Sequence, residues 1–105
     1  MILIVLRIQI RPDKRDDWLA GIQRYTEAVR GEESKPSFEC FESVETPNQF
    51  VVVEGFESRE AGDVHVQTGH FKDFTVWFPT VLAGAPKIIN VEVPGEGWTE
   101  MAELG

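Results

Sequence analysis

Over the first ten residues an apolar side chain falls at every second position: Ile2, Ile4, Leu6, Ile8 and Ile10. A period of two is that of a β-strand with one face in a core. The alternate positions, Leu3, Val5, Arg7 and Gln9, become polar only halfway, so the second face carries an apolar patch as well. A chain this short offers no obvious cover for Leu3 and Val5, and the pattern assigns them to a subunit interface. The period then changes. Pro12, with Asp13 close behind, starts a helix over 13–30 in which Trp18, Ile22, Tyr25 and Val29 recur at helical spacing up to Gly31, a natural stop. Lys14, Arg15, Asp16, Asp17, Gln23, Arg24 and Glu27 form its solvated faces.

After a polar connection over 32–37 containing Pro36, the segment Phe38, Cys40, Glu42, Val44 alternates with Glu39, Phe41, Ser43, Glu45. Thr46-Pro47-Asn48-Gln49 supplies a turn with proline in second place, and 50–56 is the most strand-like stretch of the chain, so the two strands form a hairpin. Ser58 caps a short helix carrying Ala61, Val64 and His65 on one side, and Gly69 interrupts it. The next helix places Phe71, Phe74, Phe78, Val81 and Leu82 on a shared face, with Pro79 kinking or restarting it. A last strand over 87–93 leads into a tail, 94–105, with Trp98, Met101 and Leu104.

The order β-α-β-β-α-α-β is that of a single α+β domain over 1–105 with ferredoxin-like, split-βαβ topology. Its four-stranded antiparallel sheet carries helices on one face. The open face holds Leu3, Val5 and part of the set Val51, Val53, Ile89 and Val91. The expectation is a homodimer that meets through this open face, with the tail over 94–105 packing on the partner subunit.

Composition narrows the function classes. A length of 105 residues suits one core, and 42% hydrophobic with 27% charged residues is globular. A net charge of -8 would repel phosphates, so no nucleic-acid partner is expected. The lone Cys40 excludes an intramolecular disulfide and multi-cysteine metal sites and fits a reducing, cytoplasmic compartment. The apolar start lacks the basic lead and cleavage site of a signal peptide. No apolar run approaches the ~20 residues of a spanning helix, so no membrane association is expected.

The chain has no dinucleotide fingerprint, phosphate loop, zinc-protease motif, nucleophile elbow or calcium loop. Two histidines and many aromatics between Glu54 and Phe78 remain. His65, pointing towards the sheet among phenylalanines, reads as a catalytic base if Glu54 or Glu42 reaches it from a strand. It reads equally as a core histidine bonded to a backbone carbonyl. His70 follows after five residues, not the i, i+4 spacing of metal-binding pairs, and no third ligand lies near in sequence, so no metal site is expected. His70 then caps a helix or lies on the surface beside the pocket. Glu54, Phe56, Phe71, Trp77 and His70 make up the expected substrate pocket, suited to a flat apolar ligand. Phe74 and Phe78 belong to the core stripe, from which Trp77 is rotated away. Cys40 reads as a packed small hydrophobe.

The segment from Thr46 to Ser58, followed by Ala61, His65 and His70-Phe71, resembles the antibiotic-biosynthesis-monooxygenase family. With the first strand, the first helix and the final Pro86-Lys87-Ile88-Ile89-Asn90-Val91 segment, the resemblance extends over nearly the whole chain. It implies a dimeric α/β barrel, an activity of the quinol-monooxygenase type, a pocket in each subunit, and no flavin, haem or metal cofactor. His65 matches the histidine of the family pattern. The family commonly has tryptophan where this chain has Phe56, and some members use a first-strand asparagine that is absent here. The implied chemistry is deprotonation of a small aromatic substrate, a quinol or polyphenol, whose anion itself reduces dioxygen. An isomerase acting on a small carbonyl compound and a non-catalytic ligand-binding or stress-response dimer remain the alternatives, since fold alone does not separate them.

Overall fold

Strand β1 (Ile2–Gln9) takes up the period-two stretch and runs through the middle of the sheet in a computed structural model that describes residues 1–105. A 3₁₀ turn with Pro12 in its first turn leads into helix α1 (Arg15–Arg30). Strands β2 (Ser37–Glu42) and β3 (Gln49–Phe56) form the hairpin. Helices α2 (Arg59–Val66) and α3 (Gly69–Trp77) follow, then a 3₁₀ turn at Phe78–Thr80 and strand β4 (Lys87–Glu92). The strand order is β2-β3-β1-β4 and every neighbouring pair is antiparallel, which is ferredoxin-like topology with an unclosed sheet.

Register sorts the side chains between the faces. Ile4 opposes Glu54 on β3 and Asn90 on β4, while Val5 opposes Val53 and Ile89. Even-numbered residues therefore face the helices and odd-numbered residues face away. On the helix face Ile8, Ile10, Phe38, Phe50 and Val52 pack against Trp18, Ile22, Tyr25 and Val29, the stripe expected on α1. On the other face Leu3, Val5, Val51 and Val53 are half-buried, and Ile89 and Val91 are exposed. The tail residues Trp98, Met101 and Leu104 are exposed as well.

Both short helices begin at side-chain caps. Ser58 Oγ accepts from Ala61 N at 3.1 Å, and Thr68 Oγ1 accepts from Phe71 N at 3.2 Å. The sequence pattern extends the third helix to Leu82, but α3 stops at Trp77 because Pro79 restarts the chain as a 3₁₀ turn. Val81 is then buried beyond that turn, and Leu82 pairs with Ile10 in an antiparallel bridge. No helix is long and apolar enough to cross a membrane.

Candidate active site

The buried polar groups of this chain gather where the ends of α1, α2 and α3 meet strand β3. His65 lies in the last turn of α2, on the side of Ala61, and is 4% exposed. Glu54, an even-numbered residue of β3, must face the helices and is 6% exposed. Tyr25 belongs to the α1 stripe. Glu32 follows the Gly31 cap of α1, in a turn where Lys35 N donates to Glu32 O. That turn folds its carboxylate back under the helices until the side chain is only 7% exposed.

One oxygen of Glu32 joins both histidines. His65 Nδ1 donates to Glu32 Oε2 at 2.7 Å, and His70 Nε2 donates to the same oxygen at 2.6 Å. A carboxylate can only accept, so the His65 proton is placed on Nδ1 by its partner. In that tautomer Nε2 is an acceptor. Tyr25 Oη donates to it at 3.2 Å, and Glu54 Oε1 stands 3.9 Å away. Burial, and after it the charge of Glu32, pushes the Glu54 carboxyl up to about 7. Burial also raises the Tyr25 phenol well above its ordinary value, with Glu54 and Glu32 adding to the effect.

A cavity of about 140 Å³ is lined by His65 together with Tyr25 and Glu54, the two groups beside its Nε2. Leu6, Ile8, Phe38 and Val52 form its floor, Phe71, Phe74 and Phe78 its helical wall, and Tyr25, Glu54, His65 and Thr75 supply its polar groups. The Phe71 ring stands edge-on to His65 at 5.1 Å, and Phe74 stacks on Tyr25 at 4.0 Å. On the other side of His65, Phe56 lies 5.0 Å from the imidazole and lines a separate groove with Ile2, Ile4 and Asn90.

The structure thus brings together His65, Glu54, Phe71 and His70 among the residues singled out in the sequence, with Phe56 behind them. It separates two others. Trp77 does not line the cavity; it packs over Gly21 and stacks on Trp18 with ring centroids 6.3 Å apart. Glu42 does not reach His65 either, because Arg15 holds it at 2.6 Å on the far end of the hairpin. His65 bonds to side chains at both nitrogens, where a backbone carbonyl was the other expectation. A third potential ligand does lie beside the two histidines, namely Glu32. The sequence reading passed over Glu32, placed Tyr25 on the α1 stripe and assigned Phe74 and Phe78 to the core stripe, whereas Tyr25, Phe74 and Phe78 line the cavity. Tyr25 alone carried a signal, as a hydroxyl within an otherwise apolar stripe.

The profile of the family described as antibiotic biosynthesis monooxygenase matches residues 1–77. The chain is 28% identical over 93 residues to the Bacillus subtilis (strain 168) protein named "Putative monooxygenase YcnE", covering 89% of this chain and 98% of that protein. It is 31% identical over 87 residues to the uncharacterized protein sll1783 of Synechocystis sp. (strain ATCC 27184 / PCC 6803 / Kazusa), covering 83% of this chain but 59% of that longer protein. Among solved structures, an antibiotic biosynthesis monooxygenase superposes with a TM-score of 0.82 at 21% identity, over 90% of this chain and 100% of the other. Rv0793 from Mycobacterium tuberculosis superposes with a TM-score of 0.83 at 22% identity, over 92% and 98%. At these identities the two structural likenesses establish the fold.

Proposed function

Because the chain belongs to the antibiotic biosynthesis monooxygenase family, we propose that it is a cofactor-independent monooxygenase of a small quinol, with His65 as the base that starts the reaction. One observation carries this reading: Glu32 Oε2 lies 2.7 Å from His65 Nδ1, which assigns the ring proton there and leaves Nε2, beside Tyr25 and Glu54 of the apolar cavity, as the acceptor. An imidazole held at one nitrogen by a carboxylate, with the other an acceptor that a substrate hydroxyl can reach in place of Tyr25 Oη, is oriented for general base catalysis.

Cavity size supports a monocyclic substrate. A volume of about 140 Å³ is close to the ~150 Å³ in which a buried apolar cavity takes up a benzene-sized ring. A single hydroquinone ring fits between Phe71 and Phe74 on one side and the sheet floor on the other. A fused polycycle requires the wall to open. One quinol hydroxyl replaces the Tyr25 hydroxyl at Nε2, and Glu54 lies within reach of the same ring edge.

The steps balance without an external reductant. Nε2 takes the hydroxyl proton, and the resulting anion passes an electron to dioxygen. The two radicals join as a ring hydroperoxide, which loses water and leaves a hydroxyquinone. One oxygen atom of dioxygen ends in the ring and the other in water, and the substrate supplies all the electrons. The surrounding phenylalanines exclude bulk water from this sequence. Tyr25 and Glu54 are placed to stabilise charge that develops on the ring oxygens.

The working unit in this reading is a homodimer. Leu3, Val5, Val51, Val53, Ile89 and Val91 form a continuous apolar surface across the sheet face that the helices leave uncovered. Trp98 of the tail lines a groove of about 310 Å³ with Leu3, Val5 and Val53 at its margin. Two such faces packed together remove both patches from water.

Oxygen uptake by the metal-stripped protein with a panel of monocyclic hydroquinones tests the proposal. Uptake above the spontaneous rate is expected, with its loss in His65→Ala. A panel without turnover, or a His65→Ala variant as active as the parent, refutes it.

A further inference from the structure

The two histidines and Glu32 form more than a hydrogen-bond chain. Glu32 Oε2, His65 Nδ1 and His70 Nε2 lie within 4.8 Å of one another, from three different segments of the fold. Glu32 forms ion pairs with these two histidines alone, and no lysine or arginine neutralises it. Its second oxygen, Oε1, is buried without a hydrogen-bond partner. A side chain 93% buried, with an orphaned oxygen and no permanent cation beside it, has an unmet electrostatic demand. Its position just past the C-terminus of α1 adds to that demand, because the helix dipole is negative there.

We propose that this tripod is a binding site for a divalent first-row transition ion of the zinc type. Two imidazoles and one carboxylate are a donor set that suits such ions, and three protein ligands leave a coordination position open. The surroundings agree. His65 Nε2 faces Tyr25 Oη and Glu54, the outer partners that fix the orientation of a ligating imidazole. His70 is 27% exposed, which gives an ion a way in from solvent. Metal–nitrogen bonds of about 2.0–2.1 Å replace two N–H···O bonds, so binding moves each ring proton to the other nitrogen of its imidazole and shifts the carboxylate oxygen aside.

Binding is tested with zinc and cobalt(II) on the metal-stripped protein, by metal analysis after dialysis and by the visible spectrum of the cobalt form. The expected result is one ion per chain with ligand-field bands, and loss of both in Glu32→Gln and in His70→Gln. His70→Gln is the safer variant because its side chain is partly exposed, and circular dichroism checks that each variant is folded. Tyr25→Phe retains binding at an affinity reduced by roughly 10–100-fold. Metal-free protein after dialysis, or folded His70→Gln that binds as the parent does, overturns the site in favour of a proton-filled network. These readouts do not depend on quinol turnover, so they separate this inference from the proposed reaction.

A further consequence does rest on that reaction. With an ion on Nδ1 the His65 proton moves to Nε2, and the base is capped. Oxygen uptake therefore falls in proportion to zinc occupancy; unchanged uptake at full occupancy overturns Nδ1 as the ligand.

Discussion

Glu32 and Cys40 show how far a residue's chemistry depends on where the backbone takes it. Glu32 has the sequence surroundings of an exposed turn, yet the turn after Gly31 carries it under three helices, and no local pattern reports that path. His65, Glu54 and Phe71 were legible because their faces follow from helical and strand periods that the fold obeys. Cys40 sits on the helix face of β2, where burial, and then the Glu42 charge, push its thiol up to about 11. At about pH 8 its alkylation by iodoacetamide is expected to be roughly 100-fold slower than that of a small free thiol, in line with the lost thiolate fraction; labelling at the free-thiol rate contradicts its burial. The Glu42 carboxyl moves the other way, from 4.5 down to about 2, held there by the Arg15 hydrogen bond and by Asn48 N. A depressed carboxyl pKa contributes stability that is present above the unfolded value and lost as pH falls through the folded one. Arg15→Ala is therefore expected to flatten the decline in stability between about pH 4.5 and pH 2. Denaturant melts across that window measure it, and parallel curves for the two proteins rule it out.

Helices α2 and α3 are short, so their ends decide where the histidines point. Ser58 caps α2, and Ser58→Ala is expected to lower stability by about 1 kcal/mol. The same substitution loosens the helix that carries His65, and chemical denaturation gives its magnitude. The break at Thr68 and Gly69 explains a second feature. Five residues separate His65 from His70, a spacing that would turn the rings apart on one continuous helix. Two helices meeting at an angle bring both to the same oxygen. Between α1 and α3, Gly21 leaves room for the Trp77 ring, whose Cζ2 would lie 2.6 Å from an added Cβ. Gly21→Ala gains helix propensity of up to about 1 kcal/mol but forces the stacked Trp18–Trp77 pair apart, at an overpacking cost of about 1–3 kcal/mol. Net destabilisation in urea is the expected result; a stabilised variant would show that α3 yields freely. Trp77 looked like a pocket residue because it stands off the phenylalanine stripe, but the missing side chain at Gly21 draws it into the core.

At the scale of the whole molecule, element order alone carried the topology, since a β-α-β-β-α-α-β chain of this length has few ways to cover one sheet face. The same argument leaves the second face bare. In the proposed dimer, Val53 lies beside Val5 at the centre of that face, and Val53→Asp is expected to shift the protein from dimer to monomer in sedimentation velocity. A parent that sediments as a monomer at high concentration removes the dimer. The reaction is harder to read from the sequence than the fold, because it depends on a tautomer and a cavity assembled from six strands and helices. The central claim is that His65 Nε2 starts an oxygenation, and turnover of a monocyclic hydroquinone under oxygen-18 gas tests it most directly. The account predicts one labelled oxygen atom in the quinone product, a label that disappears in His65→Ala. An unlabelled product, or labelling that persists without the histidine, contradicts it.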